Sequence, residues 1–149
     1  MKSVTALLAA ATIAALTLLP STPAFAAGPR IQINEIYYNS PGADTGSNVS
    51  LNAEWVRLYN TSGSNVSLTK WTLRDADGHV FKFPSYILGA HRYVKIHTGR
   101  GTSTQTDRYW NLTWYVWNNT GDTATLRGPL GGTVDSCRYT GTSAGYVYC

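Results

Sequence analysis

The sequence predicts an all-β fold, either a β-sandwich or a β-barrel, for this chain of 149 residues. Beyond the N-terminal segment, short runs rich in Val, Ile, Tyr, Trp and Thr alternate with Gly, Asn, Asp and Ser. Closely spaced strand-forming runs that are broken by turn formers are typical of sandwiches and barrels. The same region lacks apolar residues at sustained three- and four-residue spacing, so we expect very little helix.

The N-terminal segment has the layout of a secretory signal peptide. Lys2 precedes an apolar run over residues 4–19, and small residues that end at Ala26 suit a cleavage site. We expect residues 1–26 to be removed, and an uncleaved anchor is the alternative. No later segment is apolar enough to span a membrane. Residues 27–149 are therefore predicted to form one secreted, extracellular and monomeric domain.

The first half of this domain contains four predicted strands, which cover residues 30–38, 54–60, 66–75 and 79–83. Residues 38–48 are rich in turn formers and form a predicted loop. Asp77 and Gly78 predict a hairpin turn, because Asp-Gly readily adopts the positive φ angles that such a turn needs. The motif DADG (75–78) also resembles the start of a calcium-binding loop, but the closing Glu of such a loop is missing. We therefore predict a hairpin and no metal site.

The second half contains five predicted strands, over residues 91–98, 108–117, 122–128, 133–139 and 145–149. The strand over 108–117 is either regular or irregular, and a regular strand there has two aromatic-rich faces. One face holds Trp110, Leu112, Trp114 and Val116, and the other holds Tyr109, Tyr115 and Trp117. We interpret the first set as core and the second as packing under a loop. The alternative is an exposed aromatic platform for sugar rings or nucleobases.

Cys137 and Cys149 are the only cysteines in the chain. An isolated pair in an exported protein is predicted to form a disulfide, and no further Cys or nearby His completes a zinc site. We expect the bond to close a C-terminal hairpin. On the loop-entropy model a loop of this length contributes about 3 kcal/mol of stability.

The sequence contains no recognisable catalytic set. His79, His91 and His97 are scattered, and no nucleophile motif accompanies them. Glu35 and Glu54 are the only glutamates, and a carboxylate pair would allow a small secreted hydrolase of the glycosidase type. We prefer the interpretation that one or both of these carboxylates form hydrogen bonds with backbone at a strand end or loop. We expect no catalytic residue and no cofactor.

Four basic residues lie close together in the sequence, namely Arg92, Lys95, Arg100 and Arg108, with Asp107 as the only acid among them. Positive charge beside aromatic residues can bind phosphate or an anionic surface. These residues therefore form a candidate anion-binding surface, with nucleic acid or another anionic polymer as a partner. The alternative is that they only keep the protein soluble.

Six motifs occur in an order and spacing that resemble the lamin tail domain. They are INEI (33–36), EWVRLYNTSGSNVSL (54–68), WTLRDADG (71–78), FKFP (81–84), ILGAHRYVKI (87–96) and WNNTGDTATLR (117–127). The resemblance implies an immunoglobulin-like β-sandwich of about eight or nine strands, in a small secreted bacterial member of the family. It also implies an interaction module without catalytic residues, which in lamins binds proteins, chromatin and DNA.

The resemblance favours a secreted, non-catalytic binding module whose partner is an unknown protein or a cell-envelope component. The chain departs from the family pattern at Arg57, where bacterial members often have an acid, and in the added cysteine pair. Alternation in residues 54–60 places Trp55, Arg57 and Tyr59 on the face opposite the core, so a binding face is favoured over a catalytic one. The predicted core consists of Val56, Leu58, Leu68, Trp71, Leu73, Phe81, Phe83, Val94, Ile96 and Leu126.

Overall fold

The computed structural model describes residues 28–149, so the predicted signal peptide (1–26) lies outside the described residues. This part of the chain holds one short helix, α1 (Asn48–Ala53), and eleven strands. The strands are β1 (Ile31–Tyr37), β2 (Trp55–Asn60), β3 (Val66–Ser67), β4 (Thr72–Arg74), β5 (Val80–Lys82), β6 (Ile87–Leu88), β7 (Tyr93–His97), β8 (Asp107–Tyr109), β9 (Gly121–Arg127), β10 (Thr133–Thr140) and β11 (Tyr146–Tyr148). No helix among residues 28–149 is long and apolar enough to cross a membrane.

The strands form two main sheets and a small ribbon. The five-stranded sheet has the order β11-β1-β2-β7-β8, and the four-stranded sheet has the order β10-β9-β4-β5. A separate ribbon pairs β3 with β6. Neighbouring strands are antiparallel except for β7 and β8, which run parallel. The predicted immunoglobulin-like β-sandwich of eight or nine strands is confirmed, with nine strands in the two main sheets and the ribbon in addition.

The core lies between the two sheets because every second residue of their strands points inward. In β2 and β7, Val56, Leu58, Val94 and Ile96 are fully buried, whereas the residues between them are only partly buried or exposed. Nine of the ten predicted core residues are buried, and Trp71 is the exception because it packs against the core from its edge. Burial of large apolar side chains stabilises a fold by roughly 1.5–3 kcal/mol each, so this layer accounts for much of its stability.

The predicted strand over residues 108–117 is wrong. β8 ends at Tyr109, Asn111 has a φ of 65°, and the chain is irregular from there to β9. Strict alternation is therefore lost. Trp117 is 2% exposed, whereas Trp114, predicted to be core, is 64% exposed.

Helix α1 was not expected from the sequence. It begins after Ser47, whose hydroxyl accepts a hydrogen bond from the Ser50 backbone N–H. A serine side chain in this position satisfies a backbone donor that the first helical turn leaves free. The helix directly precedes β2, and Leu51 is its buried residue.

The predicted disulfide between Cys137 and Cys149 is present, with the two Cα atoms 5.8 Å apart. The hairpin that it was expected to close is not formed. β10 pairs with β9 in the four-stranded sheet, whereas β11 pairs with β1 in the other sheet. The disulfide therefore links the two layers of the sandwich covalently.

Candidate binding face

The outward side of the five-stranded sheet carries a regular array of aromatic and charged side chains, which we call the aromatic face. It arises because Val and Leu in β2, and Val and Ile in β7, occupy the inward positions. The residues between them must therefore point outward. The strand register then aligns these outward residues in rows across the sheet. The longest row consists of Tyr146, Tyr37, Trp55, His97 and Tyr109.

The rings of this row stack in two groups, one of three rings and one of two. Tyr37 lies between Tyr146 and Trp55, with ring centroids 5.7 Å and 5.4 Å away. The rings of His97 and Tyr109 stack at 5.1 Å at the far end of the row. Stacked aromatic pairs contribute about 0.5–1.5 kcal/mol each beyond the area that they bury, so each group restrains the rings within it.

A second row of the aromatic face is charged and consists of Glu35, Arg57, Lys95 and Asp107. A bulge between Ile33 and Glu35 brings Glu35 into register with Arg57. Their side chains form an ion pair of 2.6 Å. The Arg57 guanidinium also lies 4.8 Å from the ring centroid of Tyr93, so it is held from two sides.

Lys95 occupies the centre of the charged row. Its ammonium lies 3.9 Å from the ring centroid of Trp55, a geometry in which the electron-rich face of the ring attracts the cation. No carboxylate forms an ion pair with Lys95 among residues 28–149. Its charge is thus positioned by an aromatic ring and remains open to an anionic partner.

The charge of Asp107 at the end of the row is well defined. Burial alone raises the pKa of its carboxyl, but hydrogen bonds from Thr106, His97 and Thr104 outweigh this effect and hold the pKa below its ordinary value. The Thr106 hydroxyl donates at 2.6 Å, and His97 Nε2 lies 2.9 Å from the carboxylate. Asp107 is therefore an anion at neutral pH.

A cavity of about 890 Å³ opens beside the charged row, and we call it the basic cavity. It is lined by residues of the charged row, of the ribbon strand β6 and of the segment before β8. The lining residues are Arg57, Asn65, Tyr86, Ile87, Leu88, Gly89, Arg92, Tyr93, Lys95, Gln105, Thr106 and Asp107. Three cations therefore meet one carboxylate in a cavity of mixed polarity.

The structure brings together two of the four basic residues that the sequence singled out. Arg92 and Lys95 both line the basic cavity. Arg108 is in register with the buried Ile96 and so lies on the other side of the sheet. There its guanidinium is 4.1 Å from the ring centroid of Tyr86.

The remaining basic residue, Arg100, lies in the loop after β7. Its backbone carbonyl accepts hydrogen bonds from the side chains of Asn48 and Asn52, which tie this loop to α1. The third cation of the basic cavity is Arg57 and not Arg100. Alternation in β2 predicted that Arg57 points outward, but Arg57 is far in sequence from the other basic residues and was not grouped with them.

A family model of the lamin tail domain matches residues 24–141, which is most of the chain and includes all the strands of the sandwich except β11. The chain belongs to the lamin tail domain family. This is a non-catalytic family of immunoglobulin-like domains. A search of curated proteins found no match.

Glu54 of this lamin tail domain is completely buried. One of its carboxylate oxygens accepts hydrogen bonds from the Thr98 hydroxyl and from the backbone N–H groups of Val116 and Trp117. Burial nevertheless dominates and raises its pKa to about 7, although these three bonds oppose the shift. Glu54 thus fastens the irregular segment before β9 to the start of β2.

The two glutamates are not arranged as a glycosidase pair. Glu35 contacts Arg57 on the outward side of the sheet, whereas Glu54 is buried and bound to backbone. Neither lines any of the four described cavities. The backbone-binding interpretation made for at least one of the two holds for Glu54.

Three carboxylates converge at the turn between β4 and β5, which is the predicted Asp-Gly hairpin. Oxygens of Asp75, Asp77 and Asp122 lie within 4.8 Å of one another. Each already accepts hydrogen bonds, for example from the backbone of Gly78 to Asp75 and from that of Ala76 to Asp122. Hydrogen bonds thus already engage all three carboxylates, of which two come from the turn and one from β9.

Proposed function

We propose that this lamin tail domain is an extracellular, non-catalytic binding module that uses the aromatic face to hold its partner. The observation that carries the proposal is the row of five rings in register across all five strands of one sheet, stacked in two groups, beside a charged row. Its outer strand presents Tyr146 and Tyr148, which are 37% and 67% exposed. Exposed, rigid aromatic side chains lose little entropy on binding and are enriched at interfaces.

The extracellular part of the proposal is supported by two features of the sequence. The N-terminal segment has the layout of a signal peptide. The chain also has a disulfide, Cys137–Cys149, and such bonds are typical of the oxidising surroundings of exported proteins.

Anion binding is a second candidate function, and the basic cavity favours it. Arg92 and Lys95 line the cavity, and neither forms an ion pair among residues 28–149. Nucleic acid or another anionic polymer could supply the missing charge. Affinity for such a polymer should fall steeply with salt, because binding releases condensed counterions.

The experiment compares capture of partners by the wild-type protein and by two variants. Purified protein is exposed to envelope fractions and culture fluid of the producing cells, and the retained material is quantified. Tyr148→Ala removes an exposed ring of the aromatic face, and Trp114→Ala removes a similarly exposed ring elsewhere. We expect only Tyr148→Ala to weaken capture.

Equal capture by all three proteins, or a loss confined to Trp114→Ala, would contradict the proposal. So would hydrolysis of a phosphoester, glycoside or peptide substrate by the purified protein, if a single substitution abolished that activity. Thermal unfolding of both variants checks that they remain folded.

A further inference from the structure

We infer that the basic cavity binds an acidic saccharide, in which a sugar ring carries a carboxylate. The inference rests on the proposed function, because it names the class of ligand that the charged row would hold. It depends on three properties of the cavity: unpaired cations, a fixed acceptor beside amide groups, and an exposed apolar wall.

The cations provide the site for a ligand carboxylate. Arg57 is already paired with Glu35 at 2.6 Å, so its charge is largely satisfied. Arg92 and Lys95 have no such partner among residues 28–149. A guanidinium binds a carboxylate through two parallel hydrogen bonds, and an ammonium adds a point charge.

Gly89 keeps the Arg92 side chain close to the cavity wall. A Cβ atom at Gly89 would lie 3.1 Å from Arg92 Cγ, so the missing side chain leaves room for the arginine stem to pack there. The guanidinium of an arginine with a packed stem loses less freedom when it binds a ligand.

The polar groups of the cavity suit hydroxyl groups. Asp107 is an anionic acceptor, because hydrogen bonds outweigh burial and lower its pKa, and the amide side chains of Asn65 and Gln105 line the same cavity. Sugar hydroxyls both donate and accept hydrogen bonds, so a carboxylate and two amides complement them.

The carboxylate of Asp107 disfavours a nucleic acid. Asp107 lies next to Lys95 in the charged row and would repel the successive charges of a phosphate backbone. Strong binding of such a backbone requires many basic contacts, whereas the cavity offers two unpaired cations. An acidic saccharide has fewer charges and uncharged hydroxyls between them, which matches this sparse pattern.

An apolar wall completes the site. Ile87 on β6 is 58% exposed, and Tyr93, which lines the same cavity, is 44% exposed. Sugar rings have apolar C–H surfaces that pack against such side chains. The cavity volume of about 890 Å³ lies within the range of roughly 300–1,000 Å³ that is usual for small-molecule sites.

The test measures the affinity of purified protein for a galacturonic acid oligosaccharide by calorimetry. The methyl ester of the same oligosaccharide and a single-stranded DNA oligonucleotide are measured in parallel. The double variant Arg92→Ala/Lys95→Ala is compared with the matched double variant Arg138→Ala/Lys82→Ala. The control removes the same two residue types from exposed positions on the four-stranded sheet.

We expect the acid to bind at least about tenfold more tightly than the ester, since charge-assisted hydrogen bonds give about that ratio or more. The Arg92/Lys95 variant should lose this advantage, and the control variant should keep it. Three results would each overturn the inference: ester and acid bind equally, the control weakens binding as much, or DNA binds more tightly than the acid. If capture of envelope material still depends on Tyr148 in that case, the proposed function stands without this ligand.

Discussion

Replacing Glu54 by Gln should remove a component of stability that depends on pH. The folded protein holds the pKa of this carboxyl at about 7, compared with an ordinary value of 4.5, because the group is buried. A folded-state pKa above the unfolded value means that the protonated carboxyl favours the folded state. The contribution of Glu54 to the free energy of unfolding is therefore complete below about pH 4.5 and is lost as the pH rises towards 7.

The size of the effect follows from the shift. A difference of one pKa unit corresponds to about 1.4 kcal/mol, so the shift from 4.5 to about 7 corresponds to about 3 kcal/mol. Gln cannot ionise, and its amide oxygen can still accept the bonds from Thr98, Val116 and Trp117. The variant thus imitates the protonated state at every pH.

The assay is urea unfolding of both proteins, followed by tryptophan fluorescence at pH 4.5 and pH 8. The free energy of unfolding of Glu54→Gln minus that of the wild type should increase by about 3 kcal/mol between the two pH values. Other titrating groups cancel in this difference, and an unchanged m-value shows that both proteins unfold in the same way. An increase below about 1 kcal/mol would show that burial does not control this carboxyl.

Two further predictions concern the core and the disulfide. Trp117→Ala should lower the free energy of unfolding by about 3–5 kcal/mol, because this side chain is buried, whereas Trp114→Ala should cost less than about 1 kcal/mol. Similar urea midpoints for the two variants would contradict the assigned burial. Reduction of the Cys137–Cys149 bond should cost about 2–4 kcal/mol, measured as the urea midpoint with and without reductant, and an unchanged midpoint would refute it.

The parts of the fold that follow from local alternation were predictable. In β2 and β7, apolar residues at every second position specify which side is buried, so Val56, Leu58, Val94 and Ile96 were placed correctly. The same rule placed Arg57 on the outward face. The sequence-based assignment therefore succeeded where one face of a strand is uniformly apolar.

The assignment failed where both faces of a segment are aromatic. Between Trp110 and Trp117 either register buries large rings, so composition does not determine which tryptophan points inward. The left-handed backbone at Asn111 and the hydrogen bonds of Trp117 and Val116 to Glu54 decide it. These contacts join residues that are distant in sequence, and no local pattern reveals them.

The candidate binding face was predicted only in part, because residues that are close in sequence need not lie on the same side of a strand. Proximity in sequence grouped Arg92, Lys95, Arg100 and Arg108, but only the first two line the same cavity. Adjacent positions on a strand point to opposite sides, and β8 turns Arg108 inward next to Ile96. Strand partners likewise escape local reasoning, which explains why β11 was assigned to a hairpin with β10.

The bond between the two sheets also ties down one end of the aromatic face. β11 is an edge strand of three residues, and it contributes Tyr146 to the aromatic row. The short loop closed by Cys137 and Cys149 keeps this strand beside β1. Without the disulfide, this short strand would be held mainly by its pairing with β1. Its detachment would remove one end of the row and leave the hydrogen-bonding edge of β1 open to foreign strands.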